Sequence, residues 1–456
     1  MKIGIKFMVM KKVSQIIVAC ACLMLACGGA RAADTNLLWD VQQNQVNANV
    51  QDWTLPRLLR KIHSLTGWEV WVEPGTTNIA SAKFKGMTQD EALKRLLGRL
   101  NYFRDQTNGV SRLFVFQTAP AAAIEKVQPD PKKNYRIANE VLVKFKNHST
   151  NSIDDLAKRL GAKIIARDDK IGFYRLQFPD GSTADSAIQT LNADPSVAQA
   201  DANYSVDRPT PIQLTQTGPA APGALFNLNP PTPNGPIVGL VDTAIINPPQ
   251  EFQKYMLTPV SVVGNSEEPT GEPTHGTAMM ETMLGSMASN PSKILPVDVY
   301  GAGESTTTYD VMEGVVAAIN AGANPINLSL GGTGNSQMLG TLISEAQQKG
   351  IEFVAAAGNT PGTELTYPAA YPGVFAVTAS GPNGQLASYA DDGSFVKAMD
   401  SGTSTIIWNG GEWVVQGTSP ATAAMTGSIT ALENLDHISP QAAAQRLSLI
   451  YPAPHQ

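Results

Sequence analysis

The residues whose types can move a proton and attack a carbonyl are an aspartate closing an apolar strand and a histidine and a serine that each open a helix. Asp242 follows the run Ile237–Val241, His275 stands in Thr274-His275-Gly276-Thr277, and Ser419 stands in Gly417-Thr418-Ser419-Pro420-Ala421. A solitary buried carboxylate is costly, so an acid directly after a buried strand calls for a partner. An imidazole whose tautomer and orientation it fixes is such a partner. Serine is a weak nucleophile until a base takes its proton, and His275 can be that base. Small residues after Ser419 let a helix pass close to its neighbours, and its first N–H groups favour developing negative charge. A fourth group, the amide of Asn359 after Ala355-Ala356-Ala357-Gly358, can donate to the oxyanion of a tetrahedral intermediate. Asn and Gly after a strand also make an ordinary turn. Taken singly, His275 is an ordinary structural or exposed histidine, and the pairing with Asp242 is what favours chemistry. The other histidines, His63, His148, His437 and His455, stand in no comparable setting.

From Gly235 onward short apolar strands alternate with helical segments, the pattern of an α/β domain with a mainly parallel, doubly wound sheet. Active sites in such sheets lie at the carboxyl ends of the strands. The order Asp, His, Asn, Ser, in Val241-Asp242-Thr243, His275-Gly276-Thr277, Gly358-Asn359 and Gly417-Thr418-Ser419, resembles the subtilisin-like serine proteases over about Gly235 to Leu432. The resemblance implies a catalytic triad of Asp242, His275 and Ser419, with Asn359 as oxyanion donor. Ile326 to Gly332 resembles the family's substrate-binding strand beside the primary specificity pocket. Ser329, Leu330 and Gly331, with Ala357 and Gly358, are the substrate-binding residues so implied. An exposed edge ending in glycines suits pairing with an extended peptide, and a buried strand with its turn accounts for the same residues. Tyr367-Pro368-Ala369 resembles the segment after the oxyanion residue. Ala244 replaces the usual Gly, Pro420 follows the nucleophile where Met is commoner, and the interval from Asp242 to His275 is short. No cofactor is implied and no metal ligand is assigned; the calcium common in the family's loops has no assignable site here.

Two small α+β units precede this domain. In residues 37–117, Leu55, Leu58, Leu59, Ile62 and Leu65 mark one helical face, with Pro56 in its first turn and Gly67 as its stop. Trp68, Val70 and Val72 alternate as a strand, Pro74 and Gly75 make a turn, and Thr88 with Glu91 is spaced as a capping box. That box opens a helix buried through Leu93, Leu96, Leu97 and Leu100, and Leu113 to Phe116 is a closing strand. The unit resembles the short amino-terminal domain of secretins and TonB-dependent receptors, which implies a protein partner in the Gram-negative envelope; a folded spacer without partner is the alternative. Residues 118–133 read as a linker. Residues 134–207 give strand, helix, strand, strand, helix, strand, a split βαβ order. With Asp194 to Val197 and Ala202-Asn203-Tyr204 it resembles the propeptide of subtilisin-like proteases, which implies that it packs on the catalytic domain (235–456) in cis. Residues 208–234, rich in proline, read as an exposed linker, and maturation cleavage is expected between about Tyr204 and Phe226.

At 456 residues the chain exceeds one ordinary core, and a net charge of -6 gives no hint of a nucleic-acid partner. Lys2, Lys6, Lys11 and Lys12 precede an apolar run, Ile16 to Cys27, too short to span a bilayer. With Ala30-Arg31-Ala32 it reads as a signal peptide over residues 1–32. Cys20, Cys22 and Cys27 all lie inside it, so cleavage leaves no thiol; acylation at Cys27 is an alternative that Met24 and Leu25 fit poorly. No later stretch is long and apolar enough for a transmembrane helix. The signal peptide points to export, and the resemblance of residues 37–117 implies a Gram-negative bacterium, so the expected location is periplasmic or secreted. Two functions fit: a secreted serine endopeptidase made as a self-processing zymogen and acting on polypeptides, or a catalytically degenerate envelope binding protein that keeps the fold as a scaffold.

Overall fold

The computed structural model describes residues 37–456 apart from 42–43, 67, 74–75, 77, 108–109, 124, 127–134, 147–151, 210, 212, 221–227, 265–270, 288–289, 361–364, 388 and 455–456. The expected signal peptide with its cysteines, the stop at Gly67, the turn at Pro74 and Gly75 and residues 124 and 127–133 of the first linker lie outside the described residues. So do residues 210, 212 and 221–226 of the expected cleavage window. The chain divides into two compact units, 1–129 and 130–456.

In the first unit, strands β1 (Leu37–Asp40), β2 (Gln45–Thr54) and β4 (Ile79–Met87) form one sheet. Strands β5 (Asn101–Thr107), β6 (Val110–Phe116), β3 (Glu69–Val72) and β7 (Glu125–Lys126) form another, in that order. Helix α1 (Leu55–Thr66) buries Leu55, Leu58, Leu59 and Ile62. Helix α2 (Gln89–Leu97) opens with the expected capping box, Thr88 N–H donating to Glu91 Oε2 at 3.0 Å, and buries Leu93, Leu96 and Leu97. The sequence reading missed β4 because its inward positions include Ala80 and Ala82, whose small side chains write a faint alternation.

The second unit begins with β8 (Arg136–Phe145), α3 (Ile153–Leu160), β9 (Lys163–Asp168), β10 (Phe173–Gln177), α4 (Gly181–Ala193) and β11 (Val197–Asp207). The sheet order β11-β8-β10-β9, antiparallel throughout, is the split βαβ arrangement. Ser152 and Asp180 cap the two helices, and Gly161 ends α3 in the left-handed region at φ 68°. Beyond it, β12 (Gln213–Pro219) pairs antiparallel with β22 (Gly411–Gln416) of a hairpin whose other strand is β21 (Thr403–Trp408). The stretch expected to be a structureless connector therefore contributes a strand. Its Gln and Thr residues carry no apolar period, and ladder hydrogen bonds to β22 hold it.

The main sheet is parallel throughout, in the order β14 (Val260–Ser261), β15 (Lys293–Asp298), β13 (Ile237–Asp242), β17 (Ala323–Leu328), β18 (Phe353–Ala356), β19 (Phe375–Ser380) and β20 (Val396–Ser401). Alternate residues serve opposite faces. Val241 and Ala355 pack with α6 (Thr308–Asn320) and α7 (Gln337–Gln347), while Leu240 and Val354 pack on the side of α5 (His275–Met287), α8 (Thr418–Asp436) and α9 (Pro440–Ile450). Helices α5 and α8 run against each other where Gly427 faces the Met283 carbonyl, a spot with no room for a Cβ.

Candidate active site

Strands β13, β17 and β18 are neighbours in the sheet, so their carboxyl ends form one rim. Asp242 closes β13 and is fully buried. His275, the first residue of α5, places Nδ1 2.7 Å from Asp242 Oδ1 and 3.0 Å from Oδ2. A carboxylate only accepts, so Nδ1 carries the proton and Nε2 presents a lone pair. Among the described residues Nε2 is buried with no hydrogen-bond partner. A loop network holds the pair. Thr243 N–H donates to Asp242 Oδ1 (2.7 Å), Gly276 N–H to Thr243 Oγ1 (2.8 Å), and Thr274 Oγ1 to the Ala244 carbonyl (2.7 Å).

Ser419 lies in the first turn of α8 and is buried. Its Oγ donates to the Ser329 carbonyl at 3.3 Å, and Ser329 Oγ donates to the Ser419 carbonyl at 3.1 Å. Asn327 Nδ2 donates to Ser329 Oγ (3.0 Å) and Asn327 Oδ1 accepts from Thr426 Oγ1 (2.9 Å). This buried chain seats the start of α8 on the end of β17. Ser419 Oγ is thus engaged by a carbonyl and not by the imidazole in this conformer. Asn359, beyond β18, accepts through Oδ1 from Thr418 N–H (2.9 Å) and Thr418 Oγ1 (3.0 Å). An N–H can only be accepted by the amide oxygen, so these bonds fix which way the amide faces and leave the Nδ2 donor for another acceptor.

The sequence-expected residues Asp242, His275, Ser419 and Asn359 thus occupy adjoining strand ends and the starts of two packed helices. Ser329, Leu330 and Gly331 continue from β17, and Ala357 and Gly358 from β18. β17 itself is an interior strand between β13 and β18, so an exposed edge is not found before Ser329; Gly332 then pairs with Tyr367. Asn327 and Thr426 escaped sequence reasoning because a polar residue inside an apolar strand or helix gives no clue to a partner 99 positions away.

The segment after the split βαβ unit lies on the same rim. Ser205–Asp207 of β11 pairs antiparallel with β16 (Ser305–Thr307), Arg208 N–H donates to the Glu304 carbonyl (2.9 Å), and its guanidinium donates to the carbonyls of Gly301 and Gly303. Tyr204 and Ser205 line a small cleft with Leu330, Gly332, Gly334 and Tyr367.

A family-wide sequence model described as the subtilase family matches residues 233–448, and one described as the fervidolysin N-terminal prodomain matches residues 121–203. The thermostable alkaline protease of Halalkalibacterium halodurans is 31% identical over 250 residues, covering 53% of this chain and 68% of its own length. The thermophilic serine proteinase of a Bacillus species, strain AK1, is 26% identical over 323 residues, 67% of this chain and 80% of that protein. Among solved structures, fervidolysin from Fervidobacterium pennivorans, a keratinolytic enzyme related to subtilisin, superposes with a TM-score of 0.52 at 20% identity. That match covers 66% of this chain but only 55% of fervidolysin, so it speaks for the fold alone. Sequence, prodomain and sheet topology agree, and the chain belongs to the subtilase family of serine endopeptidases.

Proposed function

We propose that Ser419 is the nucleophile of this endopeptidase, with His275 as general base, Asp242 as the carboxylate that orients it, and Asn359 with the Ser419 N–H as oxyanion donors. His275 takes the Ser419 proton as Oγ attacks a peptide carbonyl, then returns it to the leaving amine; water releases the acyl group by the same route. The observation that carries this reading is the imidazole: both carboxylate oxygens of Asp242 hold Nδ1, and the buried Nε2 has no partner among the described residues. Ser419 Oγ must turn from the Ser329 carbonyl to meet it. Replacing Ser419 by Ala is expected to abolish casein hydrolysis and self-processing, and processing that continows in the purified variant would sink the reading.

That same turned-away Oγ is what favours the second reading, a catalytically degenerate scaffold. A fluorophosphonate separates the two, since a scaffold does not react at Ser419. We further propose that the chain is exported, to the periplasm or beyond, through residues 1–32, and made as a zymogen. The run of β11 into the rim residues supports inhibition by the prodomain in cis, with the maturation cut between about Tyr204 and Phe226. Residues 37–117 are proposed to bind an envelope partner. Among the described residues no helix is long and apolar enough to cross a membrane.

A further inference from the structure

Resting on the roles proposed for Ser419 and Asn359, we infer that this protease selects Gly or Ala at the residue whose carbonyl is attacked, because the Thr366 side chain fills the slot a larger side chain would enter. The slot follows from where that carbonyl must stand. One wall begins at the nucleophile, through the Ser419 Oγ to Ser329 carbonyl bond of 3.3 Å, and runs Ser329, Leu330, Gly331. The other is Gly358 and Asn359, tied to the same helix start by Gly358 N–H to Thr418 Oγ1 (3.3 Å) and Thr418 N–H to Asn359 Oδ1 (2.9 Å). A carbonyl placed between Ser419 and Asn359 has its own Cα flanked by these walls, and its side chain enters between Gly331 and Gly358.

Glycine on both walls makes room only if nothing else stands there. Here Thr366 Cγ2 lies 3.0 Å from where a Cβ on Gly331 would be, next to the Tyr367 carbonyl oxygen at 2.8 Å, and Thr366 Oγ1 lies 2.9 Å from where a Cβ on Gly358 would be, with the Oδ2 of its partner Asp391 nearer still. One short side chain therefore reaches both walls. It is also tethered. Thr366 Oγ1 donates to Asp391 Oδ2 at 3.4 Å, the Asp391 N–H donates to the Gly358 carbonyl at 3.1 Å, and the next residue, Tyr367, exchanges backbone bonds of 2.9 and 2.7 Å with Gly332. The space left suits a hydrogen or a methyl, and a benzyl or isobutyl group would have to displace Thr366 and break these bonds.

The test is kcat/KM of the purified, processed protein on peptides identical except for Ala, Leu or Phe at the attacked residue. Ala is expected to exceed Phe by about 10-fold or more, in keeping with what one or more methylenes weigh in a closed pocket. Thr366→Gly is expected to lower that ratio by about 10-fold or more and Thr366→Ala to lower it less. Thr366→Val, which keeps the volume and loses only the hydroxyl, should keep the wild-type ratio. A wild-type preference for Phe or Leu, or a ratio that moves in neither Thr366→Gly nor Thr366→Ala, would overturn the inference. Fluorophosphonate labelling runs alongside: a protein labelled at Ser419 with no preference for Ala sinks only the pocket, whereas cleavage by a protein that never labels there sinks the roles on which it rests.

Discussion

At the scale of single residues, the site is a set of polar atoms each committed on one side and open on the other. Asn359 shows this well: its Oδ1 is used twice by Thr418, so its Nδ2 is oriented before any substrate arrives. A donor held this way acts mainly on the charge that develops in the transition state. Asn359→Ala should therefore lower kcat by roughly 10²–10³, a magnitude known from subtilisin, while KM changes little, as steady-state kinetics on a fixed peptide would show. Asp242→Asn keeps the shape but reverses the tautomer that Nδ1 requires, and kcat should fall by roughly 10⁴. Asp242 was legible in the sequence because it ends an apolar run, where packing does not explain it; His275, Asn359 and Ser419 stood out as candidates only through their joint order with it. Asn327, Thr426 and Thr243 were not, because their work is to bond residues distant in the chain.

At the scale of elements, helix α5 carries both His275 and a buried acid, Glu281, one turn and a half further on. Glu281 is buried and, among the described residues, accepts the Ile407 N–H through Oε2 (2.9 Å) and has no partner for Oε1. Burial pushes its carboxyl up to about 8. An acid raised in the folded state binds a proton that the unfolded chain has already released at intermediate pH. Its contribution is therefore full below the ordinary Glu range and is lost as pH rises toward about 8. Glu281→Gln removes that loss, so the variant should melt progressively higher than wild type between pH 5 and about 8. Melting curves of both proteins in the same buffers check this, and a gap independent of pH would contradict it. Helices with a full apolar face were legible, as were capping boxes and strand-end residues. β4 and β12 were not: alanines carry the first and ladder pairing to a distant hairpin carries the second.

Across the whole 130–456 unit, strand β11 joins prodomain to catalytic sheet by supplying acceptors to two helix starts. Asp201 Oδ2 accepts from Ser336 Oγ (2.8 Å) and Met338 N–H (3.0 Å) at α7. Asn203 Oδ1 accepts from Tyr309 N–H (3.2 Å) at α6, while its Nδ2 donates to Glu140, which Arg175 also grips. Anionic or polar acceptors at helix starts contribute about 0.5–2 kcal/mol each. In a Ser419→Ala background, where no self-cleavage intervenes, Asp201→Ala should lower the stability of the full chain by about 1 kcal/mol in urea titration. The central claim is that Ser419, activated by His275, is the nucleophile. It is tested most directly by treating purified wild-type and His275→Ala proteins with a fluorophosphonate and locating the adduct by mass spectrometry. The account predicts an adduct on the peptide carrying Ser419 in wild type and its near absence in His275→Ala; an adduct elsewhere, or equal labelling of both proteins, would contradict it.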